Sequence, residues 1–386
     1  MRILFVVSVP SQEGSNLSLL NLITTLIDRG HECALLSCRP GFLVERLRSM
    51  GIECKVIRYR ASIYPRLHCL KDILYYIPSL ALLLENFVNY KKVKRYIAQF
   101  APDIIHTNVS TISIAYKVSK ELNIPHVWHI REYLDKDFNI RPFPSMLSRK
   151  KKLAESYTIS ITEDIRSHFS LGNNPKGFVI YNGIMNKNEI YYTDDKAPVF
   201  LFAAFIQECK GVYDLLEAYV EHLHQRPQSN FILRLLGGYQ EADFNRINKI
   251  IKDNRITERV EIFGKVSHEV VCNNLRTASV TFIPSFSEGF GRTTAEAMFN
   301  GCLVAGRNTG GTKEQFDNGL RLCGQEIGLR FNSVEEITGI MNDICDYGIQ
   351  RYKGMILSSQ NVVKDLYSIE SNVQNCLTLY KSIINE

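Results

Sequence analysis

Residues 280–306, VTFIPSFSEGFGRTTAEAMFNGCLVAG, decide the fold of this chain. The apolar run at 280–284 predicts a buried strand, residues from 293 onward predict a helix, and 303–306 predict the next strand. The segment SFSEGFGR at 285–292 is then a loop that joins a strand to a helix. In a parallel sheet such loops lie at the carboxyl ends of the strands, where ligands generally bind.

Short β-branched or aromatic runs alternate with helix-length segments along the rest of the chain, which is the pattern of βα units around a parallel sheet. The first series of predicted strands comprises residues 3–7, 33–37, 54–58, 103–106, 126–129, 157–161 and 178–181. The second series comprises residues 199–204, 231–236, 260–263, 280–284 and 303–306. We therefore predict an α/β protein with two Rossmann-like, doubly wound parallel-sheet domains that face each other across a cleft.

The length of the chain also favours two domains, because 386 residues exceed the size at which one core usually keeps growing. The polar, strand-poor stretch at 185–198 separates the two series of strands and predicts the linker. The expected divisions are residues 1–185, residues 186–365, and a C-terminal helix over 366–386 that packs back on the first domain.

The composition is typical of a folded protein, with 45% hydrophobic and 22% charged residues. The ten cysteines show no CxxC spacing, which indicates reduced, mostly buried thiols and not a disulfide framework or a metal site. The N-terminal run has only Arg2 before a short apolar segment and no cleavage-site pattern, so it predicts a strand and not a signal peptide. Both observations favour the cytoplasm. The net charge of +6 does not by itself discriminate among nucleic acid, an anionic membrane surface and a phosphorylated small molecule.

Residues 73–88, ILYYIPSLALLLENFV, form an apolar stretch that is too short and too interrupted to span a bilayer, which requires about 20 apolar residues. The basic flank YKKVKRY at 90–96 follows it. Two interpretations stay open. The stretch is either a core helix with a solvated basic end or a helix that rests on a bilayer face.

Two glycine-containing segments predict an anion site. Gly289 and Gly291 permit backbone conformations denied to other residues, and the helix that begins near Thr293 offers N–H groups and a positive dipole end. Gly310 and Gly311 predict a second glycine turn between a strand and a helix. Two amide-rich turns that converge on one anion would suit a pyrophosphate.

Each candidate side chain has a structural alternative. The segment from Thr293 to Glu296 is also a capping-box sequence, in which Glu296 reaches back to the N-cap amide. His129 could be a core histidine at a strand end. Lys210 could be a surface lysine, but it precedes a helix that starts after Gly211, and a cation there does not stabilise the helix. That position favours a ligand role for Lys210.

Together these residues resemble glycosyltransferase family 4, the retaining nucleotide-sugar glycosyltransferases with the two-Rossmann GT-B fold. The resemblance extends over nearly the whole chain and is carried by an E-x7-E signature, Glu288 to Glu296, followed by TGGTKE at 309–314. Weaker similarity lies in residues 21–37, 102–108, 127–132, 179–184 and 209–219.

The resemblance implies a role for each matching position. Glu296 would bind the ribose hydroxyls of the donor nucleotide, Glu288 would contact the donor sugar, and Lys210 would neutralise the diphosphate. The implied catalytic residues are Glu288, His129 and Lys210. The implied donor-binding residues are Gly14, Gly289, Phe290, Gly291, Arg292, Thr293, Thr294, Glu296, Gly310 and Gly311.

The reaction that the resemblance implies is a retaining, metal-independent transfer of a sugar from a UDP- or GDP-linked donor to a hydroxyl of a glycan or glycolipid. Residues 1–185 would be the acceptor side, with 59–97 and 131–150 lining it, and residues 186–365 the donor side. A polyprenyl-diphosphate-linked oligosaccharide at the inner face of the cytoplasmic membrane is the expected acceptor, in bacterial surface polysaccharide biosynthesis. No cofactor, metal or nucleic acid is expected. The D-x-D match at 135–137, in a predicted loop, is too short a motif to indicate a metal site.

Two departures from the family pattern bear on donor binding. Ala204 and Phe205 stand where the family usually has a glycine-arginine pair, so Arg292 or Lys313 would have to supply the second phosphate-binding cation. In the first loop Glu13-Gly14 replaces paired glycines. A nucleotide-sugar epimerase or phosphorylase of the same fold, and a non-catalytic partner protein, therefore stay open as alternatives. A dehydrogenase is disfavoured because neither first-strand loop carries G-x-G-x-x-G.

Overall fold

The computed structural model describes residues 1–8, 14–65 and 73–385. The chain divides into two compact units. Unit 1 comprises Met1–Gly183 and Ile369–Glu386, and unit 2 comprises Ile184–Ser368.

Unit 1 contains, within the described residues, a seven-stranded parallel sheet with the order β3-β2-β1-β4-β5-β6-β7. The strands are β1 Arg2–Val7, β2 Glu32–Ser37, β3 Glu53–Val56, β4 Ile104–Thr107, β5 His126–Ile130, β6 Tyr157–Ser160 and β7 Gly177–Val179. The helices of unit 1 that precede unit 2 in the chain are α1 Gly14–Asp28, α2 Phe42–Ser49, α3 Ile73–Ala81, α4 Glu85–Val88, α5 Tyr90–Phe100, α6 Ile114–Leu122, α7 Asp135–Phe138, α8 Met146–Ala154 and α9 Glu163–His168.

Unit 2 contains a six-stranded parallel sheet with the order β10-β9-β8-β11-β12-β13. Its strands are β8 Ala197–Ala203, β9 Ile232–Leu236, β10 Val260–Gly264, β11 Ala278–Ile283, β12 Leu303–Arg307 and β13 Leu329–Phe331. Its helices are α10 Val212–Gln225, α11 Glu241–Asp253, α12 His268–Thr277, α13 Arg292–Phe299, α14 Gly310–Cys323, α15 Val334–Tyr347 and α16 Lys353–Leu366. The two sheets confirm the predicted architecture of two parallel-sheet, Rossmann-like domains.

The central strands are apolar at nearly every position because both faces of each sheet are covered. In β1, Ile3 and Phe5 belong to the core on one face, and Leu4 and Val6 belong to the core on the other. A strand covered on one face only would alternate apolar and polar residues. The continuous run ILFVV in the sequence therefore reflects this double burial.

The last helix, α17 Ile369–Asn385, belongs to unit 1. Its apolar side chains complete the core that α1 and α2 form on one face of the first sheet. The contributing residues include Ile369, Val373, Cys376 and Tyr380.

The apolar stretch 73–88 is not a core helix, so that interpretation is wrong. It forms α3, a 3-10 turn at Leu82–Leu84, and α4. Large apolar side chains on it face solvent, with Leu74, Ile77 and Phe87 at 77%, 78% and 83% exposure. Among the described helices, none is long and apolar enough to cross a bilayer.

Several strand boundaries differ from the predicted ones by one or two residues. The predicted strand at 54–58 is β3, which ends at Val56, and the one at 178–181 is β7, which ends at Val179. The short strand β13 was not predicted, because three residues carry no periodicity.

Candidate active site

The loop between β11 and α13 enters its helix through a glycine. Gly291 is the N-cap of α13 and has φ +79°, a conformation that favours glycine. No side chain caps this helix, and the hydroxyl of Thr293 donates instead to the Ala203 carbonyl oxygen at 3.2 Å. The capping-box interpretation of Thr293 to Glu296 is therefore wrong, and α13 begins at Arg292, one residue earlier than predicted.

Glu296 is a buried carboxylate with two cationic neighbours. Its Oε1 lies 2.9 Å from Nε of Arg292 and 3.3 Å from Nε2 of His268. Burial by itself raises the pKa of the Glu296 carboxyl, but the His268 hydrogen bond and the Arg292 charge outweigh it, so the net pKa lies below the ordinary value. No described residue hydrogen-bonds to Oε2. The carboxylate is thus ionised, with Oε1 hydrogen-bonded and Oε2 without a hydrogen-bond partner among the described residues.

Lys210 and Glu288 meet across two loops of unit 2. Nζ of Lys210 lies 2.7 Å from Oε1 of Glu288, and both side chains are about three-quarters buried. Gly211 follows Lys210 with φ +70°, and a Cβ there would lie 2.1 Å from the carbonyl oxygen of Pro284. The close approach of these backbones, which only glycine allows, brings the lysine within reach of the glutamate.

Gly310 and Gly311 are the first residues of α14. The prediction that they form a separate turn before this helix is therefore wrong. The N–H of Gly311 donates to the Glu288 carbonyl oxygen at 2.7 Å, and a Cβ on Gly311 would lie 2.2 Å from the Phe290 carbonyl oxygen. This amide is therefore used within the protein. The two glycines let α14 support the Glu288 loop from behind.

Buried polar side chains fix the same loop, among them Gln315 and Thr312, which the sequence did not single out. Gln315 Nε2 donates to the carbonyl oxygens of Phe290 and Gly291 at 2.6 Å and 2.9 Å. The hydroxyls of Thr294 and Thr312 lie 2.9 Å apart. Side-chain and backbone donors of α14 thus bind the carbonyl oxygens of Glu288, Phe290 and Gly291 and hold this loop in place.

Both candidates for the second phosphate-binding cation, Arg292 and Lys313, form ion pairs with carboxylates, and their phosphate role stays a prediction. Arg292 pairs with Glu296, and Nζ of Lys313 lies 2.5 Å from Oδ2 of Asp317. Phe205 is 43% exposed. Its ring lies 3.2 Å from where a Cβ on Gly238 would be. An apolar ring therefore occupies the place where the resemblance implies a guanidinium.

The remaining two candidate residues lie in unit 1. Gly14 is exposed and is the first residue of α1, whereas Glu13 lies outside the described residues. His129 lies in β5 and is completely buried.

A chain of hydrogen bonds defines the protonation of His129. Tyr380 Oη lies 2.6 Å from Nδ1 of His106, whose Nε2 lies 3.0 Å from Nδ1 of His129. Nη2 of Arg131 lies 3.3 Å from the same Nδ1. Because a guanidinium can only donate, Nδ1 of His129 is an acceptor and its proton is on Nε2. Among the described residues, Nε2 has no partner.

Burial lowers the pKa of both His106 and His129 well below the ordinary value, and the Arg131 charge lowers both further. At neutral pH His129 is therefore an uncharged ring with one buried N–H group. A buried N–H without a partner costs free energy unless a ligand accepts from it.

The prediction of a loop for the D-x-D segment is wrong, because the segment forms the short helix α7. Asp137 accepts from the N–H of Tyr133 at 2.8 Å, and Nε2 of His168 lies 2.9 Å from Asp135. The described part of the chain holds no group of three or more metal-ligating side chains.

Unit 2 encloses little space next to Glu288. The cavity there measures about 10 Å³, which is room for one water at most. Unit 1 contains a larger cavity of about 560 Å³. Its apolar wall includes Tyr59, Ile63, Leu82 and Leu83, and its polar lining includes Arg39, Arg60 and Glu132.

Comparison with known proteins identifies the family of the chain. Residues 13–185 match the family model described as Glycosyltransferase Family 4, and residues 185–343 match the model described as Glycosyl transferases group 1. An uncharacterized glycosyltransferase of Methanocaldococcus jannaschii is 25% identical over 285 residues, which are 70% of this chain and 74% of that protein.

A D-inositol 3-phosphate glycosyltransferase of Corynebacterium jeikeium is 28% identical over 127 residues, so this chain matches only 32% of its own length to 30% of that protein. The crystal structure of Anabaena Alr3699/HepE in complex with UDP-glucose has a TM-score of 0.73 at 17% identity, covering 99% of this chain and 100% of that chain. That likeness shows the GT-B fold class. The chain belongs to the glycosyltransferases that combine a family 4 domain with a group 1 domain.

Proposed function

We propose that the protein is a retaining glycosyltransferase that moves a sugar from a nucleotide-diphosphate donor to a hydroxyl of a glycan or glycolipid. The observation that carries the proposal is the convergence in unit 2 of the Lys210–Glu288 pair and the half-open carboxylate of Glu296 on one glycine-lined loop. Retention of configuration and the absence of a divalent ion from the reaction rest on the family resemblance.

In the proposed mechanism the leaving group is the nucleoside diphosphate. Lys210 breaks its ion pair with Glu288, or keeps it in part, and contacts the diphosphate as the negative charge of the leaving group grows. The positive end of α13 faces the same anion. Glu288, released from the lysine, accepts hydrogen bonds from hydroxyls of the donor sugar and positions it. The acceptor hydroxyl attacks from the leaving-group face, and its proton passes to a departing phosphate oxygen.

His129 is proposed to contribute a hydrogen bond and not a proton transfer. Its ring is neutral at physiological pH, and the acceptor role of Nδ1 leaves only Nε2–H to offer a ligand. Such a group can donate to a hydroxyl oxygen of the transferred sugar. It cannot serve as a general base, because Nε2 carries the ring proton and Nδ1, which faces Arg131, is already an acceptor within the protein.

A UDP-linked donor is supported by the structural neighbours, and a GDP-linked donor is proposed from the family resemblance alone. Anabaena Alr3699/HepE binds UDP-glucose. Its low sequence identity leaves base and sugar preference open to measurement. The first experiment is ligand-observed NMR with a panel of UDP-, GDP- and ADP-sugars, which would detect the donor by saturation transfer.

The nucleotide role of Glu296 is tested by calorimetry. We expect Glu296→Ala to weaken binding of the nucleotide by at least about tenfold, because a charged hydrogen bond to ribose is lost. Glu261→Ala is the matched control, since Glu261 also pairs with an arginine, Arg234, at 2.6 Å, but on β10. Equal affinity in wild type and Glu296→Ala would contradict the assignment.

For the acceptor we propose a lipid-linked oligosaccharide of bacterial surface polysaccharide biosynthesis. The cavity in unit 1 supports an amphiphilic acceptor because it combines an apolar wall with polar groups, namely Arg39, Glu132 and Arg60, which pairs with Glu85 at 3.0 Å. Leu82 belongs both to this wall and to the exposed apolar segment 73–88. A chain bound in the cavity would thus enter beside that segment. Transfer to a polyprenyl-diphosphate oligosaccharide, but not to the same free oligosaccharide, is the expected result.

Peripheral membrane contact is proposed for the same segment. Its exposed apolar side chains are followed by Lys91, Lys92 and Arg95, which are also exposed. Apolar residues beside basic ones suit the surface of an anionic bilayer.

Flotation with anionic liposomes tests this contact. We expect the pair of substitutions Leu74→Ser and Phe87→Ser to reduce the bound fraction, and neutralisation of Lys91, Lys92 and Arg95 to make it insensitive to lipid charge. Leu322→Ser, at a 51% exposed leucine of unit 2, is the control. Unchanged partitioning of both variants would count against the contact.

A further inference from the structure

His268 is an exposed histidine whose ring is nevertheless attached to the buried carboxylate. It is the first residue of α12, after the N-cap Ser267. Its Nε2 lies 3.3 Å from Oε1 of Glu296, and its ring lies 3.7 Å from Sγ of Cys272. The histidine side chain is 56% exposed, whereas that of Glu296 is 8% exposed.

A positive charge on this ring is unfavourable for the helix. The positive end of the α12 dipole opposes a charge on its first residue. The contact with Cys272, and next that with Glu296, raise the pKa of His268 to about 10. The charged groups facing the ring are Glu296 and, on the same helix α13, Arg292. Helix stability therefore does not account for this arrangement, in which the ring lies 3.3 Å from Oε1 of Glu296.

Arg292 alone would leave Glu296 in a different state. The two residues are four positions apart on α13, and the arginine fork can bind both oxygens of a carboxylate. A bidentate pair would occupy Oε2. In the structure only Nε of Arg292 reaches Oε1, and His268 shares that oxygen from the other helix.

We propose that His268 is a positioning residue of the nucleotide site, whose ring keeps Oε1 of Glu296 engaged so that Oε2 can accept from a ribose hydroxyl of the donor. The inference rests on the proposed function, because it takes Glu296 as the ribose contact. It adds a residue that the family resemblance does not assign.

The test is isothermal titration of the full chain with UDP and GDP, followed by donor kinetics. We expect His268→Ala to weaken nucleotide binding by about tenfold, since the loss of one charged hydrogen bond lets Arg292 take both oxygens. His268→Lys, which retains a cation, should recover part of the affinity. The donor KM should rise with kcat nearly unchanged, because the ribose contact is made equally in ground and transition states.

The control is His224→Ala. His224 is also an exposed histidine near a glutamate, Glu221 at 3.7 Å, but it lies on α10. Thermal unfolding of each variant reports on a purely structural role, which would lower Tm without changing the nucleotide affinity.

The outcomes separate this inference from the proposed function. If wild type binds neither nucleotide, both are overturned. If wild type binds and His268→Ala binds equally well, only the role of His268 is overturned. If His268→Ala binds the nucleotide more weakly than wild type and His268→Lys has the same affinity as His268→Ala, the requirement for a cation at this position is refuted.

Discussion

Lys210 and Glu288 are joined by a 2.7 Å ion pair between the loop that follows β8 and the loop that follows β11. The two loops are also connected by the N–H of Phe286, which donates to the Cys209 carbonyl oxygen at 3.1 Å. The cation and the carboxylate that the reaction is proposed to use therefore neutralise each other before substrate binds. When the donor binds, its diphosphate must replace Glu288 as the partner of Lys210, and its sugar must replace Lys210 as the partner of Glu288.

Removing the charge of Glu288 should separate binding from turnover. We expect Glu288→Gln to lower kcat by about 100-fold or more, a loss typical of a group that acts in the transition state. Nucleotide affinity should be kept or slightly increased, because Lys210 is no longer neutralised by a neighbour. Steady-state kinetics and calorimetry on the same preparation measure the two quantities.

Lys353→Gln is the matched control for that experiment. It breaks an ion pair of similar length, 2.8 Å to Asp194, at an exposed site of unit 2. A parallel loss of nucleotide binding and turnover in Glu288→Gln would indicate that Glu288 binds the nucleotide, contrary to the proposal.

Phe205→Arg should supply the cation that is missing from the family pattern. The ring is already 43% exposed and lies beside Gly238, which has no side chain, so a longer side chain can reach solvent without displacing the core. We expect UDP to bind about five- to tenfold more tightly, and UMP to gain less, because the added charge acts on the second phosphate.

Calorimetry with both nucleotides checks this prediction. Tyr239→Arg is the control, since Tyr239 is a 39% exposed aromatic residue in the next loop. Equal gains in the two variants would show a general charge effect, and no gain in Phe205→Arg would contradict a phosphate site at this position.

Gly311→Ala should destabilise unit 2 and distort the Glu288 loop. Its Cβ would lie 2.2 Å from the Phe290 carbonyl oxygen, so the backbone must move, at a cost of about 2–3 kcal/mol. Gly339→Ala in α15 is the matched control, because no atom lies within 4 Å of its added Cβ. The control should gain about 0.5–1 kcal/mol. Urea unfolding measures both, and equal stability of the two variants would refute the packing argument.

Acid should destabilise unit 1 through its buried histidines. Burial, followed by the charge of Lys120, lowers the pKa of His126 to about 3. Because this pKa is depressed in the folded state, the unfolded chain binds the proton first, and stability is lost as the pH falls below about 6.5. Between pH 6 and pH 4 this one ring should steepen the fall in unfolding free energy by about 1.4 kcal/mol per pH unit.

Urea unfolding at several pH values, on wild type and His126→Asn, measures that slope. The variant retains a polar partner for Thr107, whose Oγ1 lies 2.8 Å from Nε2 of His126. His224→Asn, on the surface of α10, is the control. Parallel curves for wild type and His126→Asn would contradict the buried, neutral ring.

The parallel sheets were predictable because buried strands are continuous apolar runs, as in ILFVV and VTFIP. The Glu288 loop could be placed because a strand, two glycines and a helix are adjacent in sequence. The pairs that define the site were not predictable, since Lys210 and Glu288 lie 78 residues apart and His268 and Glu296 lie 28 apart. No local pattern reports on such contacts.

The capping-box interpretation failed for a related reason. The sequence TTAE satisfies the local rule, but Thr293 finds the Ala203 carbonyl oxygen and Glu296 finds Arg292 and His268. Contacts from other strands and helices overrode the local preference. The apolar stretch 73–88 was ambiguous because composition alone does not state which faces a neighbour covers.

The location of α17 in unit 1 has a consequence for biosynthesis. Residues 1–183 emerge from the ribosome long before Ile369, Val373 and Tyr380 are synthesised, although these three residues belong to the core of unit 1. The first sheet therefore emerges with one apolar face only partly covered, by α1 and α2, whereas unit 2 is contiguous and can fold as soon as residue 368 has been made. The nascent chain should need a chaperone over its first half, and a protein truncated before residue 369 should aggregate instead of folding.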